Sequence, residues 1–343
     1  MAWRVYQDDI VNRLVKRLDD GQYFGHDHPF LESMYVVPLL NIFPHKKHYL
    51  AEYELDNKII CAYVVSINSF FSAASYVDGV SQISLSYIHA SIDASQLRNI
   101  TQSLFDALPG YVGVYHIELV DPDLVVKEIF SNQPLVNIEV CAKNTSLPAG
   151  IDFEEYWQER SKSVRKQTGR CIRSLEREGV KVTYSVIDNV DQLDKAFEEY
   201  CRIEGLGWKG EQGTALTLTN EQGIFYKTVV EGFMRQGRAK IHQLSFDEKV
   251  VASMISVDSE SMMIVVKTTY DENYAKNSPG RLLDYYMLQQ ELEPGRVKHM
   301  ENYTNASEQD QKWFPRVREM YNVTIYRNRW IKFLAELKQK LTR

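Results

Sequence analysis

The chain has 343 residues, 44% apolar and 25% charged, which excludes disorder as its main state and leaves room for one large domain or two ordinary ones. Lys plus Arg number 40 against 46 Asp plus Glu, a net charge of −6, so no global basic footprint for nucleic acid exists. The cysteines Cys61, Cys141, Cys171 and Cys201 lie far apart, with no CxxC pair and no Cys/His ligand spacing, so no metal is expected.

Residues 1–14 lack the apolar core of a secretory leader, and apolar runs such as 59–65 are strand-sized, too short for a membrane span. The expected setting is the cytoplasm, with reduced thiols. Residues 2–18 read as a first helix carrying Val5, Ile10, Val11, Leu14, Val15 and Leu18. An aromatic, proline-punctuated stretch follows over 24–44. Two β-rich runs, 49–54 and 59–67, flank the polar turn 55–58 and predict a hairpin. A second hairpin is predicted from 242–246 and 250–257 around Asp247-Glu248-Lys249, followed by a strand over 262–268. The recurrence, about 190 residues apart, is too long for a solenoid and suggests one α/β unit built twice.

Helix 95–108 and strand 112–119 fall in the first half, and helices 191–205 and 222–236 in the second. The Pro/Gly/Ser/Thr-rich stretch 143–150 reads as a connector. The expected organisation is an N-terminal half over 1–147, a second half over 148–326 and a C-terminal helix over 327–343. Alternating strands and helices make the class α/β or α+β with mixed sheets.

Just past the connector, residues 160–181 hold eight basic and two acidic residues. This helix either offers a solvated face or meets a phosphorylated ligand, an anionic membrane or RNA. Cys171 on it reads as an ordinary buried thiol. The loop 205–213, with four glycines, presents Trp208 to stack on a sugar or acyl group and Lys209 to meet a phosphate; a capped helix end with a packed Trp is the alternative. The C-terminal helix 327–343 carries net charge +5 and an apolar stripe of Trp330, Phe333, Leu334, Leu337 and Leu341. The stripe either docks on the protein body or makes peripheral contact with an anionic membrane.

The sharpest segment is 267–290, KTTYDENYAKNSPGRLLDYYMLQQ. A β-run ends at Thr268, a polar loop closes on Ser278-Pro279-Gly280, and a helix starts at Arg281. Ser278 is a candidate N-cap and Pro279 suits the first helical position. Gly280 admits a close backbone approach. Free amides and the macrodipole at such a terminus attract phosphate, and Arg281 could add a bidentate grip. A plain helix start is the alternative. No GxSxG elbow or Walker loop occurs.

Tyr270-Asp271-Glu272, Tyr274-Ala275, Ser278-Pro279-Gly280 and Leu282-Leu283 resemble the signature of the CelD-like branch of the GNAT acyltransferase superfamily. Gly207-Trp208-Lys209-Gly210, Gly213-Thr214-Ala215 and Phe225-Tyr226 are similar to a second block of it. Lys162, Arg165, Arg170 and Leu175-Glu176-Arg177-Glu178-Gly179 resemble its basic helix. The three blocks keep their order over 151–318. In place of the Q/R-x-x-G-x-G/A loop of ordinary GNAT domains stands Asn277-Ser278-Pro279-Gly280-Arg281-Leu282.

The resemblance implies tandem GNAT-like domains, the first degenerate, as in Fem-type peptidoglycan transferases. It implies an acyltransferase that takes acetyl-CoA or another acyl-CoA as donor. The cofactor-binding residues would be Lys267, Ser278, Gly280 and Arg281. Substrate-binding residues would be Arg165, Trp208, Lys209, Tyr270, Tyr274 and Lys312. The acceptor would be an amine of a small molecule, an amino sugar or a cell-envelope precursor. Acyl transfer needs a base for the amine and an acid for the thiolate. Glu301 is the first candidate base, where the family often has an acidic residue. Tyr303 is the candidate acid, and His299 shares their alternating face. Fem-type relatives use aminoacyl-tRNA, so tRNA is the alternative partner; a non-catalytic ligand-binding module is the third reading.

Overall fold

A computed structural model describes residues 2–21, 23, 27–43, 48–69, 72–74, 83–125, 127–148, 150–292 and 298–341. The chain divides into two compact units: Met1–His26, Phe30–Lys143 and Glu319–Arg343 form the first, Asp27–Pro29 and Asn144–Arg318 the second.

In the first unit β1 (Ala2–Tyr6) leads to α1 (Ile10–Asp19) and α2 (Ser33–Ile42). The hairpin of β2 (His48–Leu55) and β3 (Lys58–Ser69) follows, then β4 (Ser72–Ala74), β5 (Ser86–Ile88), α3 (Ala94–Ala107) and β6 (Val114–Val120). The hairpin turns on Asp56 and Asn57, both with positive φ, the residue types that tolerate this conformation. A strand replaces the start of the predicted first helix. Ala2–Tyr6 pairs antiparallel with Leu50–Glu54, and Trp3 and Val5 pack on the core in period-two alternation; Asp9 at φ 58° then separates strand from helix.

β7 (Val136–Pro148) replaces most of the predicted connector. Its end, Thr145–Pro148, pairs antiparallel with His299–Asn302. The small polar residues Asn144, Thr145 and Ser146 are buried there, because a neighbouring strand supplies the backbone partners that a loop would take from water.

The second unit continues with α4 (Phe153–Glu159), α5 (Lys162–Arg177), β8 (Val182–Ile187), α6 (Leu193–Gly205), α7 (Trp208–Glu211) and α8 (Glu221–Met234). The strands β9 (Ala239–Phe246), β10 (Lys249–Asp258) and β11 (Met262–Tyr270) precede α9 (Pro279–Glu291), β12 (His299–Asn302) and α10 (Asp310–Trp313). Last come β13 (Arg316–Tyr326) and α11 (Arg329–Leu341). From Glu319 onward the chain folds with the first unit, where β13 pairs with β6.

The two units share one plan. Strand order is β1-β2-β3-β4-β6 in the first and β8-β9-β10-β11-β12 in the second. In each the last two of these strands are parallel, β4 with β6 and β11 with β12, and a helix (α3 or α9) lies between them in the chain. The architecture is a mixed α/β fold with mixed sheets. In the second unit the core joins Leu244, Met254, Met263 and Val265 of the sheet to Leu282, Leu283, Met287 and Leu288 of α9, which fixes that helix on the sheet.

Candidate active site

The parallel ladder of β11 and β12 runs from Met262↔His299 only as far as Val265↔Asn302. Beyond it β11 continues to Tyr270 against β10, while β12 ends. The gap is a cleft of about 420 Å³ lined by Val265, Thr268 and Tyr270 of β11, by Asn302 and Thr304, and by the start of α9. A smaller cavity of about 130 Å³ shares Gln167, Ser278, Arg281 and Trp313 with it and adds Ser163, Thr168, Cys171 and Lys312.

The turn into α9 is built by its own residues. Asp271 is buried, accepts hydrogen bonds from the Asn273 amide (3.0 Å) and side chain (2.8 Å), and pairs with Lys249 at 2.9 Å. Burial works to raise its pKa, and the bonds from Lys249 and Asn273 outweigh that and hold it below the usual range. Ser278 is left-handed (φ 52°) and makes no side-chain cap, contrary to the expected N-cap bond; Pro279 occupies the first turn as expected. The first intrahelical bond is Leu282 N–H to Ser278 C=O, so the amides of Gly280 and Arg281 precede it and point out of the helix start. A Cβ at Gly280 would stand 3.4 Å from the Tyr270 ring, an ordinary contact distance, so that ring covers the α-carbon side of the glycine.

Asp284, three residues into the helix from Arg281, also lines the cleft. Burial and the nearby Asp310 raise its carboxyl to about 7, against a smaller opposing pull from Arg281. Sequence reasoning missed Asp284; in LLDYYML its one signal is an acid among apolar helix positions. Gln167, Thr268 and Asp310, also in the lining, had no signal.

The expected site residues fall into three groups, with Arg165 and Tyr274 outside all of them. Ser278, Gly280, Arg281 and Tyr270 line the cleft and Lys312 the smaller cavity. Glu301, Tyr303 and His299 come together elsewhere. Arg318 donates two hydrogen bonds to the buried Glu301 carboxylate (3.1 and 2.9 Å) and one to Tyr303 Oη (3.3 Å). His28 Nε2 is 2.8 Å from Tyr303 Oη, and His299 Nε2 lies 3.8 Å from Glu301. The alternation that joins Glu301 to Tyr303 turns both away from Asn302 and Thr304, and none of the three lines either cavity.

The third group surrounds Glu204. Lys209 pairs with it at 2.6 Å and Lys267 at 3.8 Å, and it accepts the Leu216 amide at 2.7 Å. Lys267 also sits 5.0 Å from the Tyr226 ring, and burial lowers its pKa. Trp208 is exposed, with its amide bonded to Glu272. Tyr274 packs edge-on against Phe246 and under Lys249, and Arg165 donates to Gln158 at 2.7 Å. Among the described residues no cluster of His, Cys, Asp or Glu could hold a metal ion, and no helix is long and apolar enough to cross a membrane.

Residues 162–308 match the family model of the acetyltransferase (GNAT) domain. No curated protein matches the chain by sequence. Its fold is similar to that of FemX, at 9% identity over 98% of this chain and 99% of that one, with a TM-score of 0.59. L-PGS from Bacillus licheniformis is similar at 14% identity, over 94% of this chain and 93% of that one, with a TM-score of 0.53. A tandem GNAT protein from the clavulanic acid biosynthesis pathway matches at 11% identity, over 95% and 99% of the two chains, with a TM-score of 0.51. At such identities the likeness is one of fold, and it spans both units. Residues 162–308 are thus similar to an acetyltransferase (GNAT) domain, and the fold over both units is that of FemX and of the tandem GNAT protein.

Proposed function

We propose that the second unit moves an acyl group from an acyl-CoA thioester to an amine of a small-molecule, amino-sugar or cell-envelope precursor. The observation that carries this is the cleft between the parting β11 and β12, which opens on the uncapped start of α9 with Asp284 one turn further in. The amides of Gly280 and Arg281, the Arg281 guanidinium and Lys312 fit the diphosphate of coenzyme A. The first unit supports the assignment by contrast. Its equivalent helix α3 is closed by a capping box, with the Asp93 carboxylate on the amides of Ser95 and Gln96 at 2.8 Å. A carboxylate already sits where a phosphate would bind, so the donor site belongs to the second unit.

Asp284 is the candidate base in place of Glu301, which is committed to Arg318. A carboxyl near pH 7 matches a base working at neutral pH. The amine's proton passes to Asp284 as the C–N bond forms; the C–S bond breaks, and the departing thiolate takes up that proton, directly or through water, which returns Asp284 to its carboxylate. The thioester is already activated, so the chain supplies mainly positioning.

One observation favours the aminoacyl-tRNA reading: α5 lines the smaller cavity while Lys162, Lys166, Arg170, Arg173 and Arg177 stay exposed along it. Thermal unfolding with and without acetyl-, succinyl- and longer acyl-CoA separates the readings. A hundredfold excess over Kd stabilises by about 2.7 kcal/mol, a rise of several degrees. No rise with any acyl-CoA overturns the proposal, and a gel shift with tRNA that weakens steeply with salt promotes its rival. A rise without transfer to any amine leaves a binding module.

A further inference from the structure

We propose that the outward face of α11 binds the surface of an anionic lipid bilayer. At 100° per residue, Trp330, Phe333, Leu334 and Leu337 fall within one arc of about 100° on this helix. The fold leaves that arc bare: these side chains are 77%, 55%, 57% and 44% exposed. The other side of the helix, at Ile331 and Ala335, faces the first unit and is partly covered. The helix is anchored there. Lys332 donates to the Pro134 carbonyl at 2.8 Å, and just before the helix Arg327 donates to the Phe105 carbonyl at 2.9 Å and pairs with Asp106; the Asn328 side chain caps the helix itself by accepting the Ile331 amide at 3.0 Å. The stripe is thus held outward on a fixed helix.

Charge chooses the occupant. On the same projection exposed Arg329 and Lys340 flank the apolar arc on one side and exposed Lys338 on the other, in a chain of net charge −6. Cations beside a bare apolar stripe match a bilayer, with acyl chains under the stripe and anionic headgroups beside the lysines. Trp330, the most exposed of the four, is the residue type that settles at such an interface. A second copy fits worse: a two-fold contact through this face would bring these cations towards their own copies.

The test is sedimentation of the full chain with vesicles of phosphatidylcholine alone and of phosphatidylcholine with phosphatidylglycerol. The protein should pellet with the anionic vesicles, lose that at about 0.5 M salt, and stay in the supernatant with the zwitterionic ones. The Trp330→Ser/Phe333→Ser variant should bind about a hundredfold more weakly. Lys338→Gln and Lys340→Gln should each cost about fivefold. All four side chains are exposed, so the melting temperature should not move. Failure of the parent chain to pellet, or equal binding by the double variant, overturns the proposal. So does a concentration-dependent dimer in sedimentation velocity that the double variant abolishes, which would assign the face to a second copy.

Discussion

Asp284, half-buried in the wall of the cleft, and the fully buried Glu301 are two acids in opposite settings. Glu301 receives two hydrogen bonds from Arg318, whereas Asp284 sits in the cleft with Asp310 for a neighbour. Asp284→Asn should lower kcat by about 10²- to 10⁴-fold with little change in acyl-CoA affinity. The parent enzyme's kcat/KM should rise through about pH 7 as Asp284 ionises, and the variant should lose that limb. Stability should move the other way. A folded pKa raised above 3.8 means that the native state holds the proton longer than the unfolded chain, so stability falls between about pH 4 and 7; Asp284→Asn should flatten that slope in denaturant titrations. Glu301→Ala should instead strand Arg318 and cost about 3–5 kcal/mol, with turnover kept by the folded fraction. Selective loss of turnover in a stably folded Glu301→Ala would return the base to that residue. Alternation marks 301 and 303 as one face, but which face meets the cleft depends on the strands packed around β12.

At the scale of elements, the proposed function puts donor binding at the start of α9. Arg281→Ala should weaken acyl-CoA by about tenfold to a hundredfold, the worth of one charge-assisted hydrogen bond, in calorimetric titration. Gly280→Glu should split the two readouts. A carboxylate in the first turn suits the helix dipole by about 0.3–1 kcal/mol, yet it competes for the amides a phosphate needs. Binding should fall while the melting temperature holds or rises; unchanged binding would show that the donor does not use this terminus. Elements with local signals were legible. Asp56-Asn57 and Asp247-Glu248 mark hairpin turns whatever surrounds them, and the Ser278-Pro279-Gly280 helix start is read from proline and glycine chemistry. The strand Ala2–Tyr6 and the end of β7 were not, because their partners lie about 50 and 150 residues away in the chain.

Across the whole molecule, the last strands are exchanged. β7 follows the first repeat yet ends on β12, and β13 follows the second yet pairs with β6. Tyr321, Val323 and Ile325 are buried in the first unit's core, so ending the chain at Arg318 should unfold that unit. Three such side chains are worth about 5–9 kcal/mol, comparable with a domain's total stability. Ending it at Asn328 removes only α11 and should leave circular dichroism and unfolding nearly unchanged; equal loss in both truncations would refute this division. The sequence alone determined the mixed α/β class, the repeated hairpin and the helix start at Ser278-Pro279-Gly280, because each is written in neighbouring residues through periodicity and turn chemistry. Only the tertiary structure decided that β13 completes the other unit, that Glu301 faces Arg318, and that Asp284 enters the cleft. Those outcomes depend on long-range strand pairing and on the burial it imposes, which no short window of residues contains.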